Sequence, residues 1–244
     1  MRVVTFREMV RVFLGVLLLQ SAVLQAGVWE GVSTESARIL ALKPNLENGL
    51  KLYEKNCVMC HEVEGWGSIY GGDFPQLAGQ HQSVLVKQLL DMRDGKRVNL
   101  PMMEEVFSKK VLQSPQDFAD VAAYVSALPM TTENGKGKDE DVMRGGEIYK
   151  KTCMACHGKH AEGNAKAVVP LLKSQHYGYM LTQFMAIKAG HRGNSDPAMT
   201  AVIQNLSDED ARGVLDYISR IKPAKSKRAA EWNFSSVMDQ FKAH

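Results

Sequence analysis

The sequence repeats itself with a shift of about 96 residues, and this duplication constrains the fold more than any other feature. The pattern Cys-x-x-Cys-His occurs twice, at residues 57–61 and 153–157. Identities that keep their order around these motifs are Gly49/Gly145, Tyr53/Tyr149, Pro75/Pro170, Gln80/Gln175, His81/His176, Gln88/Gln183, Gly95/Gly190, Pro101/Pro197, Met103/Met199 and Tyr124/Tyr217. The shift drifts only from 96 to 93 residues along the chain. This ordered series indicates a tandem duplication of one domain.

The duplication predicts two domains, one at residues 40–129 and one at residues 141–222. Residues 130–140 lie between them, and they are mostly polar and include two glycines, as is typical of a linker. Residues 223–244 have no counterpart in the first half and are predicted to form a C-terminal tail.

Residues 1–26 have the pattern of an export signal. Three arginines precede an apolar run at residues 12–19. The run is shorter than the roughly 20 residues that a membrane-spanning helix needs. We therefore expect a cleaved signal peptide and a periplasmic protein. An uncleaved anchor, and with it membrane association, is the alternative.

Apolar residues recur at helical spacing in both halves of the chain. Segment 45–56 runs into the first Cys-x-x-Cys-His motif, and segment 81–94 has one apolar face. Ser114 before a proline and Ser207 before three acidic residues are typical helix N-caps, and they predict where the last helix of each domain begins. Sustained alternation of apolar and polar residues is absent from the sequence, so the predicted fold class is all-α.

The cysteine spacing indicates covalent haem. All four cysteines lie in the two motifs, and each pair is followed directly by histidine. Two thiols on one helical turn reach the two vinyl groups of a haem, and the next residue then binds the iron. A zinc site or a thioredoxin-like redox pair would not require that histidine twice. The predicted attachment sites and proximal iron ligands for two haem c groups are Cys57, Cys60, His61, Cys153, Cys156 and His157.

The distal iron ligand of each domain is predicted to be a methionine, whose thioether raises the reduction potential. Met199 lies eight residues before Ser207, and the repeat pairs it with Met103. Met103, however, lies eleven residues before Ser114, so this segment is three residues longer in the first domain. Met102 therefore stays an alternative to Met103.

Two further matched pairs have predicted roles near the haems. Pro75 and Pro170 follow the haem histidines by 14 and 13 residues, where a backbone carbonyl can accept the imidazole N–H and orient the ring. His81 and His176 open matched helices. We expect the haem propionates to meet near the domain interface with fast transfer between the haems, and these two histidines to line that interface. Simple surface exposure is the alternative.

At these residues the sequence resembles the dihaem cytochrome c4 family, which has two class I cytochrome c domains in tandem. The stretches that carry the resemblance are residues 74–80, 87–95, 169–175 and 206–210. The resemblance implies small helical bundles around one covalent haem each, His/Met ligation of both irons, and a periplasmic carrier that feeds oxidases or reductases. The longer first distal segment, residues 62–66 and the tail depart from the family pattern.

The predicted function is electron transfer without substrate chemistry, because a haem with His and Met ligands has no open iron position. We expect redox protein partners, such as a membrane oxidoreductase or a terminal oxidase, and either a monomer or a complex subunit. An electron-entry subunit of a larger respiratory complex is one alternative, and a dihaem peroxidase or thiosulfate-type dehydrogenase is another. The net charge of +3 is too weak to indicate nucleic-acid binding.

The tail carries an apolar face of its own. Phe234, Val237, Met238 and Phe241 follow the i, i+3, i+4, i+7 spacing of a helix. Such a face needs a partner. It folds back across the domains as a clasp, docks on another protein, or lies in a membrane interface, and the sequence leaves these three expectations open.

Overall fold

The structure is a computed structural model, and it describes residues 32–68, 74–97, 101–108, 110–138 and 141–229. The predicted export signal and the apolar face of the tail lie outside these ranges. The described residues contain no β-strand and only two isolated bridges. The prediction of an all-α fold is therefore confirmed.

Apart from one additional helix at the start of the first half, helices follow the same order in both halves. The helices of the first half are α1 (Thr34–Leu40), α2 (Leu46–Asn56), α3 (Val58–His61), α4 (Gln82–Arg93), α5 (Pro101–Ser108) and α6 (Pro115–Ala127). Those of the second half are α7 (Val142–Ile148), a π-helical turn (Tyr149–Cys153), α8 (Met154–His157), α9 (Tyr177–Lys188), α10 (Pro197–Gln204) and α11 (Asp208–Arg220), followed by a 3₁₀ turn (Lys225–Lys227).

The last helix of each half begins where the caps predict. The Ser114 side chain accepts the backbone N–H of Asp117, whose carboxylate in turn accepts the N–H of Ser114, and Pro115 takes the first helical position. The Ser207 side chain accepts the N–H of Asp210. These bonds satisfy amide groups that the start of a helix leaves without partners.

Each half has its own hydrophobic core, built around a close crossing of its first and last long helices. Helix α2 packs on α6, and α7 packs on α11. The repeated glycines sit at these crossings. A Cβ atom on Gly49 would lie 2.3 Å from the carbonyl oxygen of Asp120, and one on Gly145 would lie 2.0 Å from that of Gly213. Only glycine permits helix axes to approach this closely.

We expect Gly145→Ala to destabilise the second domain by about 2 kcal/mol, the usual scale of overpacking. The sign of this change in the free energy of unfolding is informative, because a glycine-to-alanine substitution inside an ordinary helix is stabilising by about 0.5–1 kcal/mol. Chemical unfolding of the holoprotein measures the change. Glu147→Ala places an alanine at an exposed position of the same helix, and it should leave the free energy of unfolding almost unchanged. A stabilised Gly145→Ala would contradict the close crossing.

The start of the tail lies against the end of the first domain. The Met130 N–H donates to the carbonyl of Lys227 at 2.8 Å, and the Ala229 N–H donates back to Met130 at 3.0 Å. Met130 is fully buried, and Pro223 is buried as well. Residues 227–229 thus pair with Met130, the first residue of the linker. The three expectations for the apolar face stay predictions.

Candidate haem sites

The first Cys-x-x-Cys-His motif is held by a buried tyrosine. Helix α2 ends at Asn56, and the short helix α3 ends at His61. The Tyr53 hydroxyl donates to the carbonyl of Glu62 at 2.7 Å, immediately after the histidine. Its ring packs on Tyr124 of α6 with centroids 5.6 Å apart. The helix crossing therefore fixes the turn that presents the motif.

The second motif has the same support with one local difference. The Tyr149 hydroxyl donates to the carbonyl of Gly158 at 2.6 Å, and its ring packs on Tyr217 at 5.6 Å. The residue after the histidine has positive φ in both domains, 82° at Gly158 and 62° at Glu62. Glycine adopts this backbone readily and glutamate rarely does. The segment that departs from the family pattern thus keeps the same local backbone geometry as the second motif.

Both haem histidines are oriented for metal binding through one ring nitrogen. His61 Nδ1 lies 3.3 Å from the carbonyl of Pro75, and His157 Nδ1 lies 3.1 Å from that of Pro170. A carbonyl only accepts, so Nδ1 carries the proton and Nε2 has the lone pair that a metal needs. Burial lowers the pKa of His61 to about 4 and also lowers that of His157, against the opposing effect of these hydrogen bonds. In both rings this direction favours the neutral form that can bind a metal through Nε2.

The cysteines have properties that suit thioether formation better than redox exchange. They form no disulfide, and Cys156 is exposed. Burial, and then the partner thiol, raises the pKa of Cys57 to about 12 and that of Cys153 to about 11. Thiol–disulfide enzymes work with a lowered thiol pKa. The redox-pair alternative therefore loses support.

The candidate distal methionines occupy the same helical position. Met103 is the third residue of α5 and Met199 is the third residue of α10, and both helices begin with proline. Five residues separate α5 from Ser114, whereas two separate α10 from Ser207, so the three extra residues follow the methionine helix. Met102, the second residue of α5, is 53% exposed. The helix register thus favours Met103, while Met199 packs against the second core.

The two halves meet through hydrogen bonds that obey an approximate two-fold relation. The Gln80 amide bonds both backbone groups of Leu171, at 2.9 and 3.0 Å. The Gln175 amide bonds both backbone groups of Gln76, each at 2.9 Å. Leu171 and Gln76 follow directly on Pro170 and Pro75. The interface therefore lies one residue from the carbonyls that hold the two haem histidines.

The matched histidines reinforce this interface. His81 Nε2 lies 2.7 Å from the carbonyl of Glu162, and His176 Nε2 lies 2.7 Å from that of Trp66. The linker also contacts His176, because the Gly135 N–H donates to His176 Nδ1 at 2.9 Å. The prediction that these histidines line the interface is confirmed. Both ring nitrogens of His176 are engaged, which leaves none for iron.

Three features of the described residues fit a c-type haem at each motif. Each histidine offers Nε2 from a buried, oriented ring, each motif supplies two thiols on one turn, and each domain places a methionine on a separate helix. No group of three or more His, Cys, Asp or Glu side chains in the described ranges is arranged to hold a metal ion directly. A zinc site built from the motif residues is therefore not supported.

The sequence alone assigned no role to the interface glutamines or to two arginines, the buried Arg97 and the half-buried Arg192. The sequence nevertheless contains a hint of their importance, since Gln80/Gln175 and Gln88/Gln183 recur in both halves although the haem motif does not require them.

Within the part of the chain that the structure describes, no helix is long and apolar enough to span a membrane.

Two family models match the chain. The cytochrome c model matches residues 46–129, and the model described as cytochrome c oxidase, cbb3-type, subunit III matches residues 140–218. The chain is 33% identical to cytochrome c4 of Pseudomonas aeruginosa over 170 residues, which cover 66% of this chain and 82% of that protein. It is 29% identical over 205 residues to a thiosulfate dehydrogenase electron acceptor of Stutzerimonas stutzeri, covering 76% of this chain and 92% of the relative.

The fold has a solved counterpart. The crystal structure of reduced recombinant cytochrome c4 from Pseudomonas stutzeri matches with a TM-score of 0.63 and 27% identity, over 74% of this chain and 100% of that chain. Sequence, fold and the doubled motif agree. The chain therefore belongs to the dihaem cytochrome c4 family and carries two covalently bound haem c groups, one in each of its two cytochrome c domains.

Proposed function

We propose that this protein is a periplasmic electron carrier in which each iron has one histidine and one methionine ligand and electrons pass between the haems across the domain interface. The observation that carries the proposal is the doubled geometry of a buried histidine whose Nδ1 donates to a proline carbonyl one residue from that interface. The proposed axial ligands are His61, Met103, His157 and Met199, and the proposed attachment sites are Cys57, Cys60, Cys153 and Cys156.

The haem supplies the one-electron redox chemistry. The chain's part is to orient and protect it. The Pro75 and Pro170 carbonyls fix the imidazole rings and raise their basicity through the Nδ1–H bond. Burial of His61 and His157, 5% and 6% exposed, keeps water from the proximal side. The interface hydrogen bonds hold the two domains in one relative position, as repeated transfer between two sites requires.

The proposed partners are redox proteins rather than small substrates. One relative is named for accepting electrons from thiosulfate dehydrogenase, which supports an acceptor that takes electrons from a dehydrogenase and passes them to a membrane oxidoreductase or a terminal oxidase. A second candidate is an electron-entry subunit of a respiratory complex, favoured by the match of residues 140–218 to an oxidase subunit model. Methionine as the sixth ligand argues against catalysis at the iron.

The proposed boundaries of the domains, 40–129 and 141–222, are supported by the two separate hydrophobic cores. The linker at 130–140 is packed in its described part rather than extended. The side-chain amide of Asn134 donates to the carbonyls of Gln175 and Ser219, each at 2.9 Å. The linker therefore contributes to the fixed arrangement of the two sites.

The test uses the purified holoprotein. Two haems per chain should remain on the polypeptide after acid–acetone extraction, because thioethers survive acid. The reduced protein should be oxidised by a partner oxidase and should not turn over thiosulfate or peroxide without a second protein. Extractable haem would contradict covalent attachment. Steady turnover of either small substrate would move the proposal to the enzyme alternative.

A further inference from the structure

A pocket on the surface of the second domain borders the second Cys-x-x-Cys-His motif. It has a volume of about 370 Å³ and is lined by Lys150, Met154, Lys159, His160 and Tyr217. Met154 lies between the two cysteines of the motif, and the ring of Tyr217 is partly exposed. The pocket therefore combines an apolar surface, from the methionine and the tyrosine, with three basic side chains.

The two lysines of this pocket differ from other cations of the same domain. Three of those cations contact carboxylates at 2.6–2.9 Å, namely Arg144 with Asp210, Lys188 with Asp208 and Arg220 with Asp216. The ammonium groups of Lys150 and Lys159 make no hydrogen bond or ion pair with any residue that the structure describes. The Glu162 carboxylate near His160 accepts the backbone N–H of that histidine at 2.7 Å and also lies near Lys173. The pocket thus keeps positive charge that its described neighbours do not neutralise.

The equivalent place in the first domain has the opposite charge. The repeat gives the counterparts of the five pocket residues, in the same order, as Glu54, Val58, Val63, Glu64 and Tyr124. Tyr124 is only 4% exposed. Burial, and then the charges of Glu54 and Glu64, raise the pKa of Tyr124 to about 12, so both carboxylates lie near this ring. One position in the duplicated fold is therefore basic and open in the second domain, and acidic and closed in the first.

The chemistry of the basic pocket fits a carboxylate side chain. Unpaired ammonium groups attract an anion and donate hydrogen bonds to its oxygens. The apolar surface of Met154 and Tyr217 fits the methylene groups that carry such a carboxylate. The volume lies near the lower end of the roughly 300–1,000 Å³ of small-molecule sites, and the pocket is open to solvent. An open pocket of this kind suits a side chain that projects from another protein.

We propose that this pocket binds a glutamate or aspartate side chain on the surface of an acidic redox partner, which then exchanges electrons through the second haem. The proposal deepens the proposed function and rests on it only for the haem at the adjacent motif. Glu54 and Glu64 repel the same partner from the first domain, and repulsion of this kind contributes to specificity. The opposite charges thus assign the acidic partner to one of the two haems.

The first test measures binding of poly-L-glutamate to the holoprotein by calorimetry at low ionic strength. Lys150→Glu introduces the residue that the first domain has at this position, and it should weaken binding about tenfold, the lower end of surface electrostatic effects. Lys51→Glu makes the same change in net charge at an exposed position of the first domain, and it should change binding less than about twofold. Equal effects of the two substitutions would overturn the assignment to this pocket.

Sodium acetate distinguishes a protein side chain from a free anion. At the same carboxylate concentration and constant ionic strength, acetate should not displace poly-L-glutamate, because a single small carboxylate makes none of the surrounding contacts. Displacement by acetate that Lys150→Glu abolishes would show a small-anion site and overturn the docking proposal. Lys159→Val, which also introduces the first-domain residue, should weaken poly-L-glutamate binding in the same direction as Lys150→Glu.

The second test places the pocket beside the second haem by electron transfer to small oxidants. One electron passes from ferrous haem to hexacyanoferrate(III), which becomes hexacyanoferrate(II). Lys150→Glu should slow this oxidation about tenfold at low ionic strength, and added salt should remove the difference. The cationic oxidant tris(phenanthroline)cobalt(III) should react faster with the same variant, and Lys51→Glu should alter neither rate by more than about twofold.

The outcomes separate this proposal from the proposed function. Unchanged rates with both oxidants in Lys150→Glu would overturn the placement of the pocket on the route of electrons. Failure of the proposed function would appear in the wild type, as missing haem or as no oxidation by either complex. Both lysines are exposed, so their substitution leaves the core packing of the second domain intact.

Discussion

Met199→Ala should remove about half of the weak far-red sulfur-to-iron absorption of the oxidised protein, while both haems stay attached. The two domains each contribute one thioether–iron bond under the proposed ligation. Met199 is the third residue of α10, and Asp196 caps that helix through the N–H groups of Ala198 and Met199. The cap and the proline at the first helical position set the direction of this side chain. Its removal takes away the sulfur ligand without touching the thioether attachment.

The reduction potential of the second haem should fall in the same variant. A thioether stabilises ferrous iron, and axial ligands set haem potentials over a range of roughly 0.8 V. We expect a decrease on the order of 0.1–0.2 V for one of the two redox steps and little change in the other. Redox titration with optical detection resolves both steps, and the unaffected step identifies the first domain.

Two matched controls make this result specific. Met143→Ala changes a methionine of the same domain that is 88% exposed, and it should leave spectrum and potential unchanged. In the first domain, Met103→Ala should remove the other half of the absorption, and Met102→Ala should not. The helix register favours this outcome, because Met103 and Met199 share the third position of their helices. The reverse pattern would assign the ligand to Met102.

The sequence was sufficient for those features that are encoded locally. The caps at Ser114 and Ser207 place the last helices, because a short polar side chain before the helix satisfies its free amide groups. The Cys-x-x-Cys-His spacing places two thiols and an imidazole on one turn. The contacts of Pro75 and Pro170 with the haem histidines followed from a separation of 14 and 13 residues and from the ring's need for an acceptor.

The interface was predicted only in part, because its pairs are not neighbours in the sequence. Repetition marked Gln80, Gln175 and the two histidines as important. It did not reveal that Gln80 contacts the counterpart of Gln76 rather than its own counterpart. Such crossed pairs join residues that are 91 and 99 positions apart. The partner of each residue depends on how the domains dock, and hydrophobic periodicity carries no information about that.

The departures from the family pattern illustrate the same limit. Residues 62–66 look unlike the usual stretch after the haem histidine, yet Trp66 makes two hydrogen bonds in the structure. Its indole N–H donates to the carbonyl of Pro129 at 2.8 Å, and its own carbonyl lies 2.7 Å from His176 Nε2. A bulky aromatic residue here connects the end of the first domain with the second domain. Its spacing alone did not indicate this.

Gln175→Ala should uncouple the two domains at a cost of about 3–5 kcal/mol. The Gln175 side chain satisfies the N–H and the carbonyl of Gln76, which is 3% exposed, and also accepts the N–H of His176. Alanine leaves these backbone groups without partners, and each buried unsatisfied group costs about 1–3 kcal/mol. Chemical unfolding of the holoprotein should then show two transitions, and electron transfer between the haems should slow.

The matched control is Gln113→Ala, which changes an exposed glutamine before α6 and should leave the unfolding curve unchanged. Haem content should stay at two per chain in both variants, since the attachment motifs lie within the separate domains. A single transition with unaltered stability in Gln175→Ala would show that the interface bonds do not hold the domains together.

The two-fold relation sharpens this prediction, because Gln80→Ala breaks the equivalent pair of bonds to Leu171. Gln80 is less buried than Gln175, so water replaces part of its hydrogen bonding and its loss should cost less. Once either substitution has opened the interface, the groups facing the other glutamine are already hydrated. The double variant should therefore lose less free energy of unfolding than the sum of the two single variants, as coupled sites in one network do. Strict additivity would mean that each glutamine stabilises its own neighbourhood and that the interface does not act as a unit.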